Sequence, residues 1–185
     1  MIDDVLKDAG RRMDKSVETT KHEFTTIRTG RASAALLERV QVKAYGTAMS
    51  VNQLATISVP EPRLLTITPF DKSIMRDIEK AILESDLGLT PSNDGQLIRL
   101  PIPQLTEERR KELVKQVRHL AEEGRVATRN VRRDAIHHLK DAEKSGETGS
   151  DDVHRAEDRL QKVTDEHVAA IDAALKAKEA EIMEV

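Results

Sequence analysis

Cysteine and tryptophan are absent from this 185-residue chain, and Phe24, Tyr45 and Phe70 are its only aromatic side chains. Without thiols there is no disulfide framework and no thiolate metal site, and a reducing compartment fits. With so few rings a platform for stacking unpaired bases is not expected, so any bound nucleic acid would be read through backbone and shape. No stretch approaches the roughly 20 apolar residues of a membrane span. The opening MIDDVLKD has neither the basic start nor the apolar run of a signal peptide, so a cytoplasmic protein without membrane contact is expected. Catalytic signatures are missing too: there is no GxSxG, GxxxxGK[ST], HExxH or GxGxxG. His137 and His138 are adjacent and diverge by about 100° on a helix, which is poor ligand geometry. No catalytic residue, metal or cofactor is therefore assigned.

Charge and periodicity are plentiful. Charged residues make up 34% of the chain, yet the formal net charge is only −3, so opposite signs must sit in different places. Residues 105–133 hold nine Lys/Arg against five Glu, whereas residues 134–185 hold seven Lys/Arg against fourteen Asp/Glu. One face could attract phosphate while the whole stays mildly acidic.

Three long helical segments are expected. The first runs from about Asp3 to Thr29 with Ile2, Leu6, Ala9, Met13, Val17, Thr20, Phe24 and Ile27 at three- and four-residue steps, and Gly30 ends it. Arg28 and Arg31 flank that terminus, where they could cap the dipole or reach outward. The second starts at Thr106 as N-cap, with Glu107 and Glu108 in the first turn, and runs to about Ala142. After SGETGSDD the third follows, with Val153, Ala156, Leu160, Val163, Val168, Ile171, Leu175, Lys178 and Ile182 near one face.

The second segment carries two patterns. Leu113, Val117, Leu120, Gly124, Ala127 and Val131 form a packing seam. At about 100° per residue, Arg118, Arg125, Arg129 and Arg132 cluster within roughly 60° on another line. A solvated helix face explains such charge in a generic protein, but guanidinium forks grip phosphate in pairs of hydrogen bonds, and the stripe suits a long polyanion.

All six prolines lie between the first two helices, in residues 31–104. There the texture is β-like: VQVKA closing on Tyr45-Gly46, LATISV stopping at Pro60-Glu61-Pro62, LLTIT before Pro69, a short helix at about Lys72–Ser85, a turn at Ser92–Gly95, and QLIRLPI. The expected fold class is α+β, a three-helix bundle (1–30 and 105–185) with a small inserted domain (31–104). The joining residues Gly30, Arg31, Ala32, Pro103, Gln104 and Leu105 are candidates for a hinge.

IRTGRAS (Ile27–Ser33), Tyr45-Gly46, QLA (Gln53–Ala55), SDLGL (Ser85–Leu89), LTEERRKEL (Leu105–Leu113) and RNVRRD (Arg129–Asp134) resemble the bacterial ribosome recycling factor family over essentially the whole chain. The resemblance implies an L-shaped, tRNA-sized molecule whose inserted domain is β/α/β. It implies a non-enzymatic translation factor, monomeric in solution. Such a factor binds large-subunit rRNA and, with elongation factor G and GTP, separates the subunits and releases mRNA and deacylated tRNA. Carried over by motif, it points to Arg110, Arg129 and Arg132 as rRNA contacts and places Arg28 and Arg31 near the hinge. Arg118, Arg125 and Arg133 join that candidate set from the stripe and the basic run. A helical protein–protein adaptor without specific RNA binding, and a hydrolase with an unrecognised site, are the alternatives to be tested.

Overall fold

The computed structural model describes residues 1–184. The chain separates into two units, one of Met1–Arg28 with Thr106–Val185 and one of Thr29–Leu105.

The first unit is built from α1 (Ile2–Thr25), α4 (Glu107–Lys144) and α5 (Ser150–Met183). Cross-helix contacts fix their directions. Arg12 reaches Asp134 while Thr20 lies against Gly124, and Arg118 reaches Glu179 while Arg125 reaches Asp172, so α4 runs against both neighbours; Asp3 meets Arg159 and Asp14 meets His167, so α1 and α5 run together. Thr106 caps α4 by accepting the Arg109 amide at 3.1 Å, with Glu107 and Glu108 at the positive end of the dipole. Gly146 adopts φ +79 just beyond α4, the left-handed turn that a glycine permits.

Two expectations need correction here. The first helix stops at Thr25, about a turn short of Gly30, because the hydroxyls of Thr25 and Thr26 bond back to the carbonyls of His22 and Glu23 at 2.6 Å and satisfy the helix end early. The α4 seam is also rotated. Ala121 and Thr128 are fully buried while Leu120 and Ala127 are only half-buried, since α4 packs between two helices and its buried stripe is wider than a single seam. Thr20, Thr128 and Thr164 sit in that core, one from each helix. Each hydroxyl is satisfied by the carbonyl four residues back, at 2.9, 2.9 and 2.7 Å. At this level α1 and α4 approach closely: a methyl group on Gly124 would lie 2.2 Å from Thr20 Oγ1.

The second unit holds a hairpin, β1 (Gln41–Ala44) with β2 (Thr47–Ser50), and a one-turn helix, α2 (Val51–Leu54). An antiparallel sheet in the order β3-β4-β6-β5 follows, made of β3 (Ala55–Glu61), β4 (Leu64–Pro69), β5 (Ser92–Asn93) and β6 (Ile98–Pro101). The helix α3 (Met75–Glu84) connects β4 to β5, entered through a 3-10 turn that Asp71 caps. Leu65, Ile67, Ile78, Ile82, Ile98 and Leu100 are wholly buried between sheet and helix. Pro60 lies inside β3 and does not stop it, because β3 is an edge strand with a register irregularity between Ser58 and Glu61 and no ladder bond is asked of that nitrogen. Asp94 ties the β5–β6 turn. Its carboxylate accepts the Leu97 and Gln96 amides and the Arg99 guanidinium, which hold its pKa down to about 2.

Candidate nucleic-acid interface

The basic stripe lies along α4, and its position follows from the helix period: Arg118, Arg125 and Arg132 stand seven residues apart, about two turns, with Arg129 between the last two. This line is separate from the apolar seam but does not face open solvent along its whole length. It runs beside α5, whose side chains reach it. Arg118 Nε donates to Glu179 at 2.6 Å. Arg125 donates through Nε to Asp172 at 2.7 Å and through Nη1 to Glu122 at 2.8 Å, and only 20% of its side chain stays exposed. The carboxylates of Glu179 and Asp172 raise the pKa of the guanidinium each one holds above its ordinary value.

The rest of the stripe is less committed. Arg129 approaches only Glu122, at 3.8 Å. Arg132 donates from Nη1 to the neutral amide oxygen of Gln161 at 2.6 Å, and its buried Nε has no hydrogen-bond partner. Arg110, half-buried near the α4 N-terminus, has a buried and unpartnered Nε as well. Arg133 is exposed and makes no ion pair among the described residues. The Arg–carboxylate pairs on α5 were missed at the sequence level. A signal for them was present: Asp165, Asp172 and Glu179 repeat at the same seven-residue step as the arginines.

Arg28, exposed, and Arg31, also exposed, fall in the first and second unit respectively. Of the candidate hinge residues, Ala32 donates its amide to Pro62 at 2.7 Å and is thus part of the second unit's fold. Gly30 has φ +79, and a methyl group there would meet Leu105 Cγ at 3.3 Å and the Pro103 carbonyl at 3.8 Å, so the two connecting segments touch. Gln104 and Pro103 are exposed.

Among the described residues no group of three or more His, Asp or Glu is placed to hold a metal ion. His137 and His138 are exposed, and His137 faces Asp141 at 3.4 Å. An open groove of about 630 Å³ lies between α1 and α4, lined by Arg12, Lys15, Glu23, Gly124 and Asn130 among others, away from the stripe. Among the described residues no helix is long and apolar enough to cross a membrane.

Residues 20–183 match the family model described as ribosome recycling factor. The chain belongs to the ribosome recycling factor family. Similarity extends over full length: it is 58% identical over 180 residues to the ribosome-recycling factor of Rubrobacter xylanophilus, covering 97% of both chains. The factor of Carboxydothermus hydrogenoformans is 57% identical over 185 residues, with 100% of each chain covered. Among solved structures, a solution structure of a ribosome recycling factor matches at a TM-score of 0.70 and 43% identity, covering 100% of this chain and 98% of that one. A second match has a TM-score of 0.62 and 44% identity, with both chains fully covered. It is a T. thermophilus ribosome recycling factor bound, with E. coli elongation factor G, to the E. coli post-termination complex. Ribosome recycling factors are non-enzymatic translation factors, and this chain is a member of that family.

Proposed function

We propose that this chain recycles ribosomes after termination: it binds large-subunit rRNA through α4 and, with elongation factor G and GTP, promotes subunit separation and release of mRNA and deacylated tRNA. It works in the cytoplasm and as a monomer. The full-length likeness to ribosome recycling factors carries the function. The contact set is Arg110, Arg129, Arg132 and Arg133, because these guanidinium groups retain uncommitted N–H donors on or near one face of a helix. Phosphate oxygens are the acceptors such groups take most strongly. Arg118 and Arg125 are secondary, since each already donates to a carboxylate. Arg28 and Arg31 flank the first connection and extend the basic surface there.

GTP hydrolysis is supplied by the partner, and the chain's part is mechanical. A bundle anchored on RNA can transmit force to or from the second unit through the connections Gly30–Ala32 and Pro103–Leu105. Co-sedimentation with isolated large subunits across a salt series tests the reading, because each phosphate contact steepens the fall of log affinity with log salt. A steep slope is expected, together with subunit splitting in a light-scattering assay that requires elongation factor G and GTP. A flat salt response with no splitting would favour the adaptor reading instead.

A further inference from the structure

We propose that α5 sorts the arginines of α4, neutralising two of them, and that Gln161 is a positioning residue that holds Arg132 in place while leaving its charge available to an RNA phosphate. The inference rests on the RNA-binding reading above and adds a role for a residue outside the basic stripe.

The argument is one of register. Arg118 faces Glu179, and Arg125 faces Asp172, seven residues onward in α4 and seven back in α5. The same step takes Arg132 to Asp165, and a third ion pair is the expected rung. It is not formed. Arg132 Nη1 instead donates to Gln161 Oε1 at 2.6 Å, and Gln161 Nε2 donates to Asp165 Oδ1 at 2.8 Å. Gln161 lies one turn from Asp165 on the same face of α5, so it intercepts both partners of the missing pair. Both ends of its amide are engaged, which fixes the amide orientation: the oxygen towards the guanidinium, the nitrogen towards the carboxylate.

The consequence is electrostatic. A guanidinium held by a carboxylate must exchange one anion for another when it meets a phosphate, so the net gain is small. A guanidinium held by a neutral amide keeps its full charge and pays little side-chain entropy on binding, because its position is already set. The stripe is thus divided into rungs that are paired with carboxylates of α5 and a rung that is held ready.

Gln161→Glu tests this directly, since it puts a carboxylate in place of the neutral amide that meets Arg132, at an exposed position. Wild type, Gln161→Glu, Arg132→Ala and the double variant are titrated against isolated large subunits over a salt series, with thermal unfolding alongside. Gln161→Glu is expected to weaken binding about tenfold, to make the log–log salt slope shallower by about one, and to leave the unfolding midpoint unchanged or higher. The double variant should be no weaker than Arg132→Ala alone. A merely structural role for Gln161 would lower affinity and midpoint together and would leave the slope alone. Wild-type binding by Gln161→Glu beside a weakened Arg132→Ala would overturn the positioning role and leave the RNA reading standing; no loss in Arg132→Ala would overturn both.

Discussion

The two units solve the problem of register by different means. In the inserted unit the ladders β3–β4–β6–β5 set which residues oppose one another, and the buried side chains form one continuous cluster from Leu37 to Ile102. The bundle has no ladder between its helices, and its apolar core is divided, with Ala9, Met13, Val131, Ala135 and Leu160 in one cluster and Leu139, Val153 and Ala156 in another. Its register comes from side-chain packing between helices, and long polar side chains on the flanks pair across it: Arg12 with Asp134, Arg125 with Asp172, His167 with Asp14. The lesson concerns function. In a three-helix bundle this thin, cations paired with a neighbouring helix's carboxylate and cations without such a partner are drawn from the same stripe, and only the pairing pattern separates them.

The contrast is broken most severely at the arginines that no α5 carboxylate holds. Replacing Arg110, Arg129 and Arg132 together by alanine is expected to cost large-subunit affinity at least about a hundredfold, from roughly 1–3 kcal/mol per charge-assisted contact, with circular dichroism unchanged. Binding within threefold of wild type, measured by co-sedimentation, would remove α4 as the RNA-binding element.

The connection between the units gives the next largest effect. Gly30→Val places a β-branched side chain at φ +79 and against Leu105, while leaving every arginine of α4 in place. Subunit splitting with elongation factor G and GTP should slow at least about tenfold while large-subunit affinity stays within about threefold, a difference of under roughly 0.7 kcal/mol. Equal loss in both assays would show that the connection serves binding and not motion.

Packing in the bundle is tested by two glycines of opposite character. At Gly124 an added methyl group meets Thr20 Oγ1 at 2.2 Å and both Thr20 Cβ and Ile171 Cδ1 at 3.2 Å, so rotating the hydroxyl away does not relieve it. Gly124→Ala should destabilise the bundle by about 1–2 kcal/mol, overpacking outweighing the gain in helix propensity. Gly10 has nothing within 4 Å of such a methyl group, and Gly10→Ala should stabilise by about 0.5–1 kcal/mol. Denaturant melts of both variants decide it, and the same sign in each would refute the packing account.

A subtler comparison lies in pH. Partial burial opposes charge on His167, but hydrogen bonds to the Val163 carbonyl at 2.7 Å and the Asp14 carboxylate at 2.6 Å, with Glu166 nearby, outweigh it and raise the pKa above the ordinary histidine value. A raised folded-state pKa means that this α5–α1 clasp contributes fully below about pH 6.5 and is lost as pH rises through the folded value. Its contribution is on the order of 1 kcal/mol. His167→Gln should therefore lower stability at pH 6 more than at pH 8.5, and an equal loss at both would show that the ring is neutral in the folded bundle.

Local order was legible in the sequence to the extent that local forces create it. Proline confinement marked the insert, Thr106 marked the start of α4, and the period of Val153, Ala156 and Leu160 marked the buried face of α5. Strand β2, TAMS, was missed because it has no β-branched run and owes its conformation to pairing with β1 across the Tyr45-Gly46 turn. Thr128 was missed because nothing in its own helix tells that it faces two others.

The basic excess on α4 and the spacing of its arginines were determined by the sequence alone, since a helix of known period places every side chain on its own surface. Which of those arginines remain available was decided only by tertiary structure. Arg118 and Glu179 are 61 residues apart, Arg125 and Asp172 are 47 apart, and Arg132 and Gln161 are 29 apart. Their meeting depends on the axial register of α4 against α5, which the packing of Leu113, Val117, Ala121 and Ile171 sets and no pattern within either helix contains.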